Sequence, residues 1–493
     1  MAHVALPTPG RALCLTVVAA ALGMLGCQPE ERPAGLPSSF VPCRIGGGSQ
    51  EGLCGEVVVP ERRTGPDAGR TLALRVAVLP ARQKGPADPI YFLAGGPGQA
   101  ASRAFVPMLP ALRDLSRDRD LVFVDQRGTG GSGRLACADA VDDGLGDDDA
   151  LHAALSRCAR AWQSEVDLEA YTSVDAAEDL EAVRAALGHE RVNLLGVSYG
   201  TRLALVYLAR HSERVRTATL DGAMPTAMVL PVAAPVDAEA ALDRLFADCR
   251  ADPRCDRAFP ELAARFAGLL ASLDAAPAKV TLADPRTGRP RATVVGRTLF
   301  AKALRSLLYS AELSALVPLV VDRALASDFA PLVSAATLVG DAAGADLAVG
   351  LFFAVVCQED LPRVDPDADR RARGTFLGRS VLDDLERACA AFPRAPLPED
   401  FAAPTRADAA VLVLSGELDP VTPPRWADEA LRALPNGRSV VVRGAAHNVI
   451  ATGCAPRLVR DFVAAGSAAE LDPACLEERH RPPFFVDFAG PPP

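Results

Sequence analysis

Residues 191–211 read RVNLLGVSYGTRLALVYLARH. An apolar run ends in Gly196-Val197-Ser198-Tyr199-Gly200, and helix-spaced apolar residues follow without a linker. A buried strand fed straight into a helix is the unit of a parallel sheet covered by helices, so this segment narrows the fold class more than any other. Glycines on both sides of the serine fit a turn too tight for side chains there. Two readings follow. Ser198 is an incidental member of a strand-to-helix turn, or the turn exists to lift its hydroxyl above the sheet edge as a nucleophile, with the N–H of Tyr199 aimed at a developing oxyanion.

The rest of the chain extends the pattern. GEVVVP and TLALRVAVLP read as an early strand pair, and PIYFLAGGPG and DLVFVDQRGTGGSG as apolar runs stopped by glycines. DAAEDLEAVRAALG reads as a helix ending at Gly188, and VRTATLDGAMP as a further strand. From about Met228 to Pro404 alanine- and leucine-rich helical patterns dominate, with one candidate hairpin, AKVTLAD and RATVVG around PRTGRP. Alternation then returns in AAVLVLSGELDPVTPP, RWADEALRAL and GRSVVVRGAAHNV. The expected architecture is α/β, a mostly parallel sheet with helices on both faces and a mostly helical cap insertion. The expected boundaries are a core N-terminal part at 41–227, a cap at 228–400 and a core C-terminal part at 401–493.

A nucleophilic serine needs a base and an orienting carboxylate. The six histidines are His3, His152, His189, His211, His447 and His480. His447 follows a strand and opens a loop, which suits a base at the carboxyl edge of the sheet. His152, His189 and His211 read as solvated helix positions, and His480 in the proline-rich tail is the weaker alternative. Asp419 lies just past the strand VLVLSG, with Glu417 as its substitute. Asp221, after another strand, fits a structural turn or a helper. The order Ser198, Asp419, His447 is one of the recognised triad orders. Gly95, Gly96 and Gly98 offer a second oxyanion donor. A phosphate loop is the other use of such glycines, but the lysine and serine or threonine of a P-loop are missing.

The segments GGPG (95–98), DQRGTGGSG (125–133), GVSYGT (196–201), GELDPVTP (416–423) and AAHNV (445–449) together resemble the α/β-hydrolase peptidases of the prolyl iminopeptidase and tripeptidyl aminopeptidase type. The region 401–493 resembles the C-terminal domain of the tripeptidyl aminopeptidase-like secreted group. The resemblance implies an α/β-hydrolase fold, the triad Ser198, Asp419 and His447, oxyanion donors at Gly96 and Tyr199, and neither metal nor cofactor. It also implies that cap carboxylates, here Glu359 and Asp360 in AVVCQED, hold the free amino group of a substrate. Gln99 departs from the pattern, which has a second small residue after GGPG.

The N-terminus reads as an export signal over 1–26, with Arg11 followed by an apolar run too short to span a membrane comfortably. Met24-Leu25-Gly26-Cys27 looks like a lipobox, which makes Cys27 the lipidated residue and 27–40 a tether. A plain secretory signal is the alternative. Gln28 is not the aspartate associated with inner-membrane retention. The twelve cysteines leave ten beyond Cys14 and Cys27, falling as neighbours: Cys43 and Cys54, Cys137 and Cys158, Cys249 and Cys255, Cys357 and Cys389, Cys454 and Cys475. Five bridges suit an oxidising compartment, with connectivity left open. A net charge of -10 without a basic cluster makes nucleic acid a poor partner. The expectation is an exported aminopeptidase acting on peptides. A carboxylic-ester hydrolase on the same fold, and a peptide-binding surface lipoprotein with a relic site, are its competitors.

Overall fold

The computed structural model describes residues 36–63, 69–83, 85–137, 148–284, 287–344 and 346–490. The signal segment and Cys27 lie outside the described residues.

Eleven strands are described: β1 Val41–Arg44, β2 Glu51–Pro60, β3 Thr71–Leu79, β4 Ile90–Leu93, β5 Leu121–Val124, β6 Val192–Val197, β7 Val215–Asp221, β8 Ala278–Ala283, β9 Pro290–Val295, β10 Ala410–Gly416 and β11 Gly437–Val442. Nine form one sheet in the order β1-β2-β3-β5-β4-β6-β7-β10-β11. The first three and β5 pair antiparallel, and every pair from β5 to β11 is parallel. The strands β4, β5, β6 and β10 are buried along their whole length, as strands covered on both faces must be. One apolar layer joins Val76, Leu194, Leu203, Tyr207 and Val413, and the opposite layer joins Phe92, Phe123, Leu412, Val459 and Phe462.

Sheet and cap are interleaved along the chain as the alternation predicts. Between β7 and β10 lie helices Leu230–Ala251, Leu262–Ala275, Arg297–Leu308, Val349–Glu359 and Ser380–Cys389, among others, and the hairpin β8–β9. Their own apolar core contains Leu242, Phe266, Phe300 and Val321. A further cluster, including Leu135, Tyr199, Met228 and Leu351, packs cap against core behind the candidate serine. The ten expected cysteines are joined as the five sequential pairs. Among the described residues no helix is long and apolar enough to cross a membrane.

Candidate active site

The turn after β6 is as tight as the glycines imply. Ser198 has φ 54° and ψ −123°, a conformation that a residue with a side chain rarely adopts. A Cβ on Gly196 would lie 2.5 Å from the carbonyl oxygen of Gly200, and one on Gly200 would lie 2.0 Å from that of Leu93. The serine is pinned by its backbone: its N–H donates to Asp221 O at 2.8 Å, and its carbonyl accepts from Thr201 N at 2.9 Å and Thr201 Oγ1 at 2.6 Å. Tyr199 then opens the Tyr199–His211 helix, whose first N–H groups carry the positive end of the helix dipole.

The β4 loop crosses the same point. A Cβ on Gly95 would sit 3.1 Å from Ser198 Cβ. Gly96 is exposed and has φ 107°, which leaves its backbone open to a reacting carbonyl. Gly98 O accepts from Ala348 N at 2.8 Å, so the cap fixes this loop from above. Gln99 extends its amide oxygen towards Gly95, within 3.2 Å of where a Cβ would stand.

Asp419 and His447 meet at the same edge. His447 Nδ1 lies 2.8 Å from Asp419 Oδ2. With Nδ1–H donating there, Nε2 keeps its lone pair and can accept a proton. Asp419 is buried, and its carboxylate accepts from Val421 N at 2.8 Å, Thr422 N at 2.9 Å and Thr422 Oγ1 at 2.9 Å. Burial works to raise its pKa, but the His447 charge and these donors prevail and hold it below the ordinary carboxylate value. For His447 burial works downward, and the Asp419 charge and hydrogen bond overcome it and raise the pKa. Asp221 supports both partners. Its carbonyl holds Ser198 N, and its carboxylate accepts from Val449 N and Ile450 N at 2.9 Å each, just beyond His447. Burial pushes its pKa up to about 6. Glu417, the substitute considered for Asp419, faces elsewhere, to Gly444 N and Arg244 at 2.9 Å each.

The sequence matches the alpha/beta hydrolase fold family over residues 88–453. The chain belongs to this family. Serine protease Hip1 of Mycobacterium tuberculosis is 27% identical over 532 aligned positions, covering 93% of this chain and 96% of its own. Tripeptidyl aminopeptidase of Streptomyces coelicolor is 32% identical over 148 positions, 27% of each chain. The crystal structure of proline iminopeptidase from Mycobacterium smegmatis aligns over 83% of this chain and 98% of its own, at 18% identity and a TM-score of 0.38. The hydrolase is therefore a serine hydrolase, similar to Hip1 over nearly its whole length.

Glu359 and Asp360 require a correction. Both are wholly buried at the end of the Val349–Glu359 helix, where they meet Arg202 of the Tyr199–His211 helix rather than a substrate. Arg202 lies 3.0 and 3.1 Å from the two oxygens of Asp360 and 3.4 Å from Glu359, and donates to Met228 O at 2.8 Å. Glu359 also accepts from Ser173 N at 2.5 Å and Ser173 Oγ at 2.8 Å. Asp360 also accepts from Leu230 N at 3.3 Å and Arg363 at 3.1 Å. With these partners in place the carboxylates lock the cap to the serine-bearing helix, and no face of either is open to an ammonium.

DQRGTGGSG is a scaffold in the hydrolase. Asp125 accepts from Ser102 N, Ser102 Oγ and Gly131 N at 2.9–3.1 Å, and buried Arg127 binds Asp179 with two nitrogens. Three other described histidines have local partners, and His480 is exposed. His189 binds Tyr91 OH at 2.8 Å and burial lowers its pKa to about 4; His211 faces Glu178. His152, expected to be solvated, is buried against the Ser380–Cys389 helix, 3.2 Å from Asp384 O. Sequence reasoning missed Arg202, Thr422 and Tyr309. Arg202 had a signal: a charged residue inside an apolar helix is buried only if paired. Tyr309 had none, since only the fold brings its carbonyl to His447 N at 3.2 Å. Among the described residues no group of three or more His, Cys, Asp or Glu is arranged to hold a metal ion.

Proposed function

We propose that the hydrolase is an exported aminopeptidase that releases one residue or a short peptide from the N-terminus of peptides. Ser198 is the nucleophile, His447 the base and Asp419 its orienting partner, with Gly96 and Tyr199 N–H groups holding the oxyanion. His447 Nε2 takes the hydroxyl proton as Ser198 attacks the carbonyl, then returns it to the leaving amine. Water enters by the same route in reverse, with His447 again the base, and frees the acyl group. The observation that carries this reading is the 2.8 Å His447–Asp419 contact at the sheet edge where strained Ser198 emerges. The similarity to Hip1 and to a tripeptidyl aminopeptidase supports a peptide substrate.

A carboxylic-ester hydrolase is the second reading, and the burial of Glu359 and Asp360 favours it, because the expected ammonium site is already filled by Arg202. Aminoacyl and tripeptidyl amides assayed beside short acyl esters separate the two. Faster turnover of amides with a free amino group supports the aminopeptidase; ester turnover alone overturns it. Ser198→Ala and a fluorophosphonate probe test the nucleophile itself. Export and lipidation at Cys27, with the protein in the cell envelope, belong to the same proposal, and the five disulfides suit the oxidising compartment it requires. Palmitate labelling that persists in Cys27→Ala would remove that part.

A further inference from the structure

Arg305 lies one helical turn before Tyr309, on the cap helix Arg297–Leu308. Tyr309 is the cap residue against the proposed base. Its carbonyl accepts His447 N, and its ring stands edge-on to the imidazole with centroids 5.6 Å apart. The Arg305 guanidinium carbon is 5.2 Å from the centre of that same ring, and its Nη2 donates to Tyr309 OH at 3.0 Å. One aromatic ring thus contacts both a fixed positive charge and the imidazole.

That charge has no counterion among the described residues. Arg305 is half-buried, and its Nε is buried without an acceptor. Four other arginines between cap and core are paired: Arg202 with Glu359 and Asp360, Arg244 with Asp248 and Glu417, Arg425 with Asp237, and Arg481 with Asp248. Withdrawing a guanidinium from water is unfavourable unless an anion or several acceptors replace the water. Stacking on Tyr309 contributes to holding Arg305, with Nη2 taken by the Tyr309 hydroxyl and Nε buried, while Nη1 meets no acceptor among the described residues and can donate to a carboxylate.

We propose that Arg305 is a specificity-determining residue that binds a carboxylate of the substrate. The carboxylate is either the C-terminus of a short peptide or an acidic side chain near the scissile bond. The inference rests on the serine-hydrolase reading of Ser198 and adds to it the charge of the substrate.

Two peptide pairs test it, one with a free C-terminal carboxylate against its amide, the other with glutamate against glutamine beside the scissile bond. The quantity is the ratio of kcat/KM within each pair, so a general loss of activity cancels. The wild-type enzyme is expected to favour the carboxylate member of one pair by roughly 10- to 100-fold, the range of a charge-assisted hydrogen bond, and the responding pair identifies the source. Arg305→Gln brings that ratio close to one, Arg305→Lys keeps part of it, and Arg305→Glu inverts it. A wild-type ratio near one in both pairs, or a ratio that survives Arg305→Gln, overturns the inference. If Arg305→Gln is not labelled by a fluorophosphonate, the salt dependence of the wild-type ratio decides: a ratio that falls with ionic strength supports the ion pair, and a flat one overturns it. Absent turnover and absent labelling in the wild-type enzyme reject the serine-hydrolase reading itself, and this inference with it.

Discussion

Gly200 stands so close to Leu93 that a Cβ added to it would lie 2.0 Å from the Leu93 carbonyl oxygen. The start of the serine-bearing helix is therefore set directly on the end of β4, the strand whose loop carries Gly96. One contact fixes the distance between the two proposed oxyanion donors, and it exists only because residue 200 has no side chain.

Gly200→Ala accordingly forces helix and strand apart. Overpacking of a close-packed site costs about 1–3 kcal/mol. The expected outcome is a lowered urea midpoint together with a larger loss in kcat than in substrate affinity, since the donors separate. Steady-state kinetics beside urea unfolding check it, and wild-type kcat in the variant counts against this geometry.

The pH dependence follows from His447. The base must be neutral to accept the Ser198 proton, so activity is lost as pH falls through its pKa. The Asp419 charge outweighs burial and raises that pKa above the ordinary 6.5. Asp419→Asn removes the charge and leaves burial, which lowers the pKa. The acid limb of kcat/KM is expected to move to lower pH while the plateau falls by about 10⁴-fold, as in serine proteases that lose this carboxylate. A pH profile on a neutral ester measures both; a limb that stays in place or moves alkaline contradicts the pairing.

The buried cluster around Arg202 is a matter of stability. Arg202→Met leaves Glu359 and Asp360 buried beside each other with Arg363 alone for compensation. Breaking a buried ion pair from one side costs about 3–5 kcal/mol, so a marked fall in the urea midpoint is expected. In the double change Glu359→Gln and Asp360→Asn, the preference for free-amino over blocked substrates is expected to stay as it is. A lost preference with stability retained would return these carboxylates to the substrate.

What the sequence made legible was local. The Ser198 turn, the alternating strands and the neighbouring cysteines each declare themselves within a few dozen residues, because chain geometry and periodicity act at that range. Glu359 and Asp360 show the limit. Two acids after a cap helix look available, while their counterion Arg202 sits more than 150 residues earlier and reaches them only when cap closes on core. Arg305 and Tyr309 were silent for the same reason, since nothing in FAKALRSLLYS points to a histidine in the C-terminal part of the chain. Thr422, three residues after Asp419, was within local reach, but a threonine in a proline-rich turn is too common to single out.

Thr422 now separates two effects on one carboxylate. Its hydroxyl donates to Asp419 Oδ2 at 2.9 Å, the same oxygen that faces His447 Nδ1, while its N–H donates to Oδ1 at 2.9 Å. Thr422→Val keeps the backbone donor and the shape but removes the hydroxyl. Oδ2 then offers more of its charge to the imidazolium, so the pKa of His447 rises further and the acid limb moves to higher pH, opposite to Asp419→Asn. Loss of a hydrogen bond to a charged group is worth about 1.5–3 kcal/mol, and a fall in kcat of roughly 10- to 100-fold is expected as the carboxylate loses one of its fixed partners. The two variants compared on one substrate give limbs displaced to opposite sides of the wild type. Displacement to the same side would mean that the Thr422 hydroxyl acts on the imidazole through its own 3.2 Å contact with His447 Nδ1 rather than through Oδ2.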